Sequence, residues 1–318
     1  MDVSTCVKPA YDEAEMEKIL LKPYDYIFQV LAYDLVPTKL SECLNNWLHV
    51  PREKLEKIKK IMRRINSSIA MFDDVLDDPL FRRNQPATHY VFGLAMTLNT
   101  SWLTQFLALE EILELGHPKA AKVYCNDFLT CLRGIGTQIH WRNTQYCVTQ
   151  EEYNQMALKQ TGNYILVMVN LMKLFSDSKV DLNNFLKSFS IYYQIRDEYV
   201  NLKKPEAVEE GERIAEWKDL PKVSFCEDFS EGRISTPVLQ ALNSRHRDVI
   251  LGILKMRPRD FKTKKYLLSL LEEGGGIQKT REILNQLETE MFNEIERLGG
   301  NPMLVEFIRD LQTWDERV

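Results

Sequence analysis

Apolar residues recur at spacings of three and four along most of this chain, a period that suits an α-helix and not a strand. Residues 53–72 place Leu55, Ile58, Ile61, Met62, Ile65 and Ile69 on one helical face. Segments 152–175, 182–202, 262–273 and 278–298 follow the same rule. The last of these carries Ile283, Leu284, Leu287, Met291, Ile295 and Leu298. Runs that alternate apolar and polar residues, as half-buried strands require, are scarce. With 13 glycines and 12 prolines in 318 residues, the chain is also poor in the residues that tight β-turns need. Breaks are expected at Pro51, Pro79, Pro86, 116–118, 274–276 and 299–302. The pattern predicts one all-α domain over residues 1–318. Residues 203–224, charged and interrupted by proline, are expected to form a loop insert.

Composition excludes several classes. Hydrophobic residues make up 44% of the chain, enough for a packed core. The formal net charge of −5 offers no overall basic balance for a nucleic-acid partner. No run approaches the ~18 apolar residues of a membrane span, and the N-terminal stretch lacks a leader pattern, so a cytoplasmic protein is expected. Six scattered cysteines without a CxxC pair read as free thiols.

The strongest chemical signal is acidic. Asp73, Asp74, Asp77 and Asp78 fall at the end of an apolar helix, and Asp73/Asp77 and Asp74/Asp78 stack one turn apart. Such carboxylates repel, and a helix C-terminus disfavours negative charge. Divalent cations would remove the conflict; a solvated acidic turn before Pro79 is the alternative. A second cluster favours the cations. Asp197 and Asn201 share a helical face, with Glu198 beside them and the aromatic pair Tyr192–Tyr193 one turn earlier. Positive charge follows each cluster: Arg82 and Arg83 after the first, Lys203, Lys204 and Arg233 after the second. Arginine's planar fork of donors suits phosphate.

These blocks resemble the trans-isoprenyl diphosphate synthases, closest to the animal geranylgeranyl type. The resemblance runs from about residue 22 to 315, so residues 1–21 are expected to be an N-terminal extension to it. It is carried by DDVLDDPLFRR (73–83) with Pro86 and His89, IHWRN (139–143), QTGN (160–163), YYQIRDEYVNL (192–202), SFCEDFSEGRIS (224–235) and GGNPMLVEFI (299–308). The resemblance implies an isoprenoid synthase helical bundle around a central apolar pocket, usually a homodimer. It implies that Asp73, Asp74, Asp77, Asp197, Glu198 and Asn201 bind three Mg2+ ions that grip an allylic diphosphate. Arg82, Arg83, Lys159, Gln194, Lys203 and Arg233 would contact that diphosphate, and Ile69, Phe72, Thr161 and Tyr193 would line the substrate pocket.

The departures from the family pattern carry the functional reading. Members normally condense isopentenyl diphosphate with the allylic cation, and hold its diphosphate with a GKxxR segment and a histidine. Here Tyr33, Asp34 and Pro37 replace glycine, lysine and arginine, and Asn66 replaces the histidine. The GQxxD segment reads GIGTQ over 134–138, and Gln160 stands where lysine is usual. Each charge-assisted phosphate contact is worth about 1.5–3 kcal/mol, so losing two cations and gaining Asp34 weakens this site by orders of magnitude. Ionisation without a second substrate is terpene synthase chemistry, and the chain resembles the insect terpene synthases of this family. Ile69 and Phe72 make the expected pocket shallow, which favours geranyl diphosphate and an acyclic product such as ocimene. Two alternatives remain: a prenyltransferase with a basic site rebuilt from Lys39, Arg63 or Arg64, and a non-catalytic subunit of a prenyl diphosphate synthase.

Overall fold

A computed structural model describes residues 12–31, 36–83, 85–203 and 225–312. The expectations for Cys6, Tyr33, Asp34, Lys204 and the 204–224 insert lie outside the described residues. So do the side chains of Pro37 and Lys203. The described chain is helical apart from one two-residue antiparallel pair. Its contacts divide it into two compact units, residues 1–34 with 60–114, and residues 35–59 with 115–318.

The first unit contains α1 (Glu13–Leu20), α2 (Lys22–Val30) and the larger part of α4 (Arg52–Asp77). It continues through β1 (Phe81–Arg82), β2 (Gln85–Pro86), α5 (Thr88–Phe92) and α6 (Leu94–Leu113). The apolar face read from the sequence is real: within this unit Ile61, Met62 and Ile65 of α4 are buried. Ile27 of α2 and Leu31, just past its end, cluster with Ala70 and Met71 of α4. Helix α6 inverts the usual pattern. Apart from Ile112 near its end, its buried face is small and mostly polar, with Thr97, Thr100, Ser101, Thr104 and Ala108, while Leu94, Trp102, Phe106 and Leu113 are exposed. The small face allows close approach to α4, where Ser68 and Ser101 each donate to the other's carbonyl at 2.7 and 2.9 Å. Thr100 donates to the carbonyl of Leu20 at 2.7 Å. Satisfied hydroxyls of this kind are what make a polar interior tolerable.

The second unit opens with a π-helical turn (Val36–Leu40), α3 (Ser41–Leu48) and the first turns of α4. After a break at 116–118 come α7 (Ala120–Thr144), α8 (Gln150–Ala157), a π-helical turn (Leu158–Gly162) and α9 (Asn163–Lys173). α10 (Asn183–Lys203) precedes the undescribed insert, and α11 (Glu227–Glu231), α12 (Thr236–Ala241) and α13 (Arg247–Lys255) follow it. α14 (Phe261–Glu273), α15 (Gly276–Arg297) and α16 (Pro302–Gln312) complete the unit. On α15, Leu284, Leu287, Met291 and Ile295 are buried, while Ile283 and Leu298 sit at the edge of the face.

The helix expected over 152–175 is broken by the π-helical turn. π-turns of this kind are frequent at functional sites, and this one carries Lys159, Gln160 and Thr161. Gly134 of α7 lets that turn approach. A Cβ there would lie 2.6 Å from the Gln160 amide nitrogen and 2.9 Å from the Lys159 carbonyl carbon, both backbone atoms. Gly134→Ala is therefore expected to cost about 1–3 kcal/mol, as overpacking does. Thermal unfolding would show this as a melting temperature lower by several degrees.

Candidate active site

In the first unit the carboxylates sit on the last two turns of α4. Asp78 ends the helix in the left-handed region at φ 53°, and Pro79 follows. The chain then turns into the β1–β2 pair, which brings Arg82 back over the helix end. Arg82 Nε donates to Asp74 Oδ1 at 2.5 Å, and Nη2 donates to Asp73 Oδ2 at 3.1 Å. Asp74 is fully buried. Burial pushes its carboxyl above the ordinary carboxylate range, opposed chiefly by the Arg82 guanidinium and also by the Thr88 amide. Its Oδ2 is buried without a hydrogen-bond partner. Asp73 and Asp77 are half-buried, one above the other. Asp78 Oδ1 accepts from the Tyr90 hydroxyl at 2.9 Å and lies 3.2 Å from His89 Nε2. Arg83 is exposed. Ile69, one turn before Asp73, and Phe72, next to it, are half-buried.

In the second unit the C-terminal turns of α10 carry the second cluster. Asp197 is exposed, Asn201 half-buried and Glu198 buried at 1% exposure. Glu198 Oε1 accepts from the Tyr153 hydroxyl of α8, and from Gln194 Nε2 at 3.2 Å. Its Oε2 accepts from the Thr236 amide of α12 at 2.8 Å. Gln194 in turn accepts from the Thr161 hydroxyl at 2.5 Å. Burial raises both the Glu198 carboxyl and the Tyr153 phenol; for Glu198 the Thr236 amide and the Tyr153 hydroxyl oppose it. Arg233 pairs with Glu231 at 2.8 Å. Lys159 is exposed, and Gln160 buries an Oε1 that has no hydrogen-bond partner. Tyr193 is half-buried and stacks on Phe189 at 5.8 Å.

Two of the expected metal ligands have protein partners: Arg82 holds Asp74, and Tyr153, Gln194 and Thr236 hold Glu198. Sequence reading missed Tyr153 and Thr236 altogether. A capping box, Thr149 with Glu152, marks the start of α8 just before Tyr153, but that signal fixes only the helix end.

The remaining donors are carboxylate and amide oxygens, the hard ligands that Mg2+ prefers. Among the described residues no three His, Cys, Asp or Glu side chains gather into a metal cage. That still fits Mg2+, which is usually held by one or two carboxylates with water and substrate phosphates. No described helix is long and apolar enough to cross a membrane.

In this all-α protein, helices that end in carboxylates and an amide are each followed in sequence by arginine or lysine. The sequence pattern of the polyprenyl synthetases matches residues 17–271, and the chain belongs to that family. It is 37% identical over 304 residues to a terpene synthase from Matsumurasca onukii, covering 95% of this chain and 96% of that one. A geranylgeranyl pyrophosphate synthase from Mucor circinelloides f. lusitanicus is 33% identical over 95% of each chain. Another, from Dictyostelium discoideum, is 30% identical over 92% of this chain and 93% of its own. The relatives are enzymes of isoprenoid synthesis, and the family generally uses Mg2+.

Proposed function

We propose that this protein is a Mg2+-dependent terpene synthase that acts on geranyl diphosphate. The C–O bond to diphosphate breaks and both electrons leave with the diphosphate. The geranyl cation then loses a proton to give an acyclic monoterpene such as ocimene, and the released diphosphate can take that proton. Three Mg2+ ions would neutralise the leaving group. The ligands we assign are Asp73, Asp77, Asp197 and Asn201. Arg82, Arg83, Lys159, Gln194, Lys203 and Arg233 are assigned to the diphosphate, with Gln194 acting through its bond to Thr161. Ile69, Phe72, Thr161 and Tyr193 are assigned to the pocket wall, where the Tyr193 ring face would stabilise positive charge by about 0.5–2 kcal/mol.

The observation that carries this reading over a prenyltransferase is the fate of three cations. A rebuilt site for isopentenyl diphosphate would need Lys39, Arg63 or Arg64. Lys39 pairs with Asp310 at 3.1 Å. Lys39 also borders a cleft of about 370 Å3 with Lys59, Glu42, Glu306 and Asp310, in which Lys59 is itself paired with Glu42 and the carboxylates outnumber the cations. Arg64 pairs with Glu111 at 3.1 Å and covers Tyr24, and Arg63 lies 4.3 Å over Phe28. The similarity to a terpene synthase supports the same choice. The test is product analysis with geranyl, farnesyl and geranylgeranyl diphosphates, each with and without isopentenyl diphosphate. A C10 hydrocarbon from geranyl diphosphate alone is expected. Longer diphosphates formed only with isopentenyl diphosphate would replace this reading with the prenyltransferase.

The proposal includes a homodimer. Its support is the exposed face of α6, where Trp102 and Phe106 are each 60% exposed and Leu113 61%. Large apolar faces of this kind mark interaction sites. Phe106→Glu is expected to weaken the dimer by about 2 kcal/mol or more, roughly 30-fold in its dissociation constant. Sedimentation at micromolar concentration would then show monomer where the wild type shows dimer.

A further inference from the structure

Glu198 stands between two exposed or half-exposed oxygen ligands, Asp197 and Asn201, yet its own carboxylate faces into the protein. Three donors from three places take up its oxygens: Tyr153 on α8, Thr236 at the start of α12 and Gln194 one turn back on α10. A buried carboxylate is tolerable only when hydrogen-bonded in this way. Removing one donor leaves desolvated charge, so the cluster resists rearrangement.

We infer that Tyr153 and Glu198 form an anchor that fixes the rotation of the last turns of α10, and so positions Asp197 and Asn201 for the metal. The inference rests on the reading of Asp197 and Asn201 as Mg2+ ligands. Glu198 lies about 100° around the helix from Asp197, so holding one sets the direction of the other. A side-chain oxygen lies several ångströms from the helix axis, and a helix rotation of about 10° moves it by roughly 1 Å. Octahedral Mg2+ tolerates little of that. Partners that orient metal ligands from behind are worth about 10–100-fold in metal affinity.

The experiment is calorimetric titration of Mg2+ into the protein with inorganic diphosphate present, beside steady-state kinetics against Mg2+. Tyr153→Phe, Glu198→Gln and the double variant are compared, with Asp197→Asn as reference. Tyr153→Phe should raise the Mg2+ concentration at half-saturation about tenfold or more, and lower kcat at saturating Mg2+ by a smaller factor. Glu198→Gln should do the same, and the double variant should be close to the worse single and well short of the product of the two effects, because the two residues act as one unit. A Tyr153→Phe protein with wild-type Mg2+ binding would overturn the inference. Were Glu198→Gln alone impaired, the carboxylate would be a ligand in its own right. If only the melting temperature fell and Mg2+ binding held, the network would be structural and the inference also wrong. Should Glu198→Gln fail to fold, Tyr153→Phe, which removes one oxygen atom, decides the matter by itself. Unaltered Mg2+ binding in Asp197→Asn would instead sink the metal-site reading on which the inference rests.

Discussion

Replacing Asp197 by alanine is expected to lower turnover roughly 10³-fold while leaving the melting temperature almost unchanged. Charge neutralisation of a leaving diphosphate is worth several kcal/mol, and each 1.36 kcal/mol is tenfold in rate. Asp197 is exposed, so its loss removes no packing. Asp73→Ala should be as inactive and also less stable, because Asp73 accepts from Arg82. Rates from product release and unfolding curves from circular dichroism check both variants. Under the alternative in which the chain is a non-catalytic subunit, neither change would touch partner binding and there would be no turnover to lose. Substantial activity in Asp197→Ala would remove the second cluster from the reaction.

The second large effect is on stability. Arg82→Met should destabilise the protein by about 3–5 kcal/mol at neutral pH, since it leaves the buried Asp74 charge without its partner. The loss should depend on pH in a definite direction. Burial already holds the Asp74 pKa above its ordinary value, and Arg82 is the main influence lowering it. Without Arg82 the folded-state pKa climbs further. A carboxyl with a raised folded pKa stabilises the fold below its unfolded pKa and loses that contribution as pH rises through the folded pKa. The deficit of Arg82→Met is therefore largest at pH 7–8 and shrinks as the pH falls and Asp74 takes up a proton. Denaturant melts at several pH values measure it. A deficit that grew toward acid would show that Asp74 is not the group left exposed to the change. The same variant should lose activity, because Arg82 is assigned to the diphosphate.

How far the sequence foretold these features depended on whether one helix sufficed to express them. The face of α4 is a property of one helix against a core, so spacing revealed Leu55, Ile58, Ile61, Met62 and Ile65 as buried. The breaks at Pro51, Pro79 and 116–118 depend on local backbone chemistry and were equally visible. The acidic pairs were legible because i, i+4 spacing stacks them whatever surrounds the helix. Helix α6 was not legible. Its small polar face is inside because α4 needs close approach there, a fact about the neighbour and not about the segment. The π-helical turn at Leu158–Gly162 packs against Gly134, more than twenty residues away, so its surroundings are not a property of the segment. The β1–β2 pair holds only two residues per strand, too short for any alternation to register, and places Pro86 at an edge. The partners of Glu198 were hidden for the same kind of reason. Its neighbours in sequence are ligand types, but its partners Tyr153 and Thr236 are 45 and 38 residues distant.

The central claim is that ionisation survives in this chain while condensation does not. It is tested most directly by giving the purified protein geranyl diphosphate and Mg2+ alone, and measuring inorganic diphosphate and volatile C10 product together. The account predicts equal amounts of the two, with an acyclic hydrocarbon as the organic product and no dependence on isopentenyl diphosphate. Geranyl diphosphate recovered intact, and consumed only when isopentenyl diphosphate is added, would contradict it.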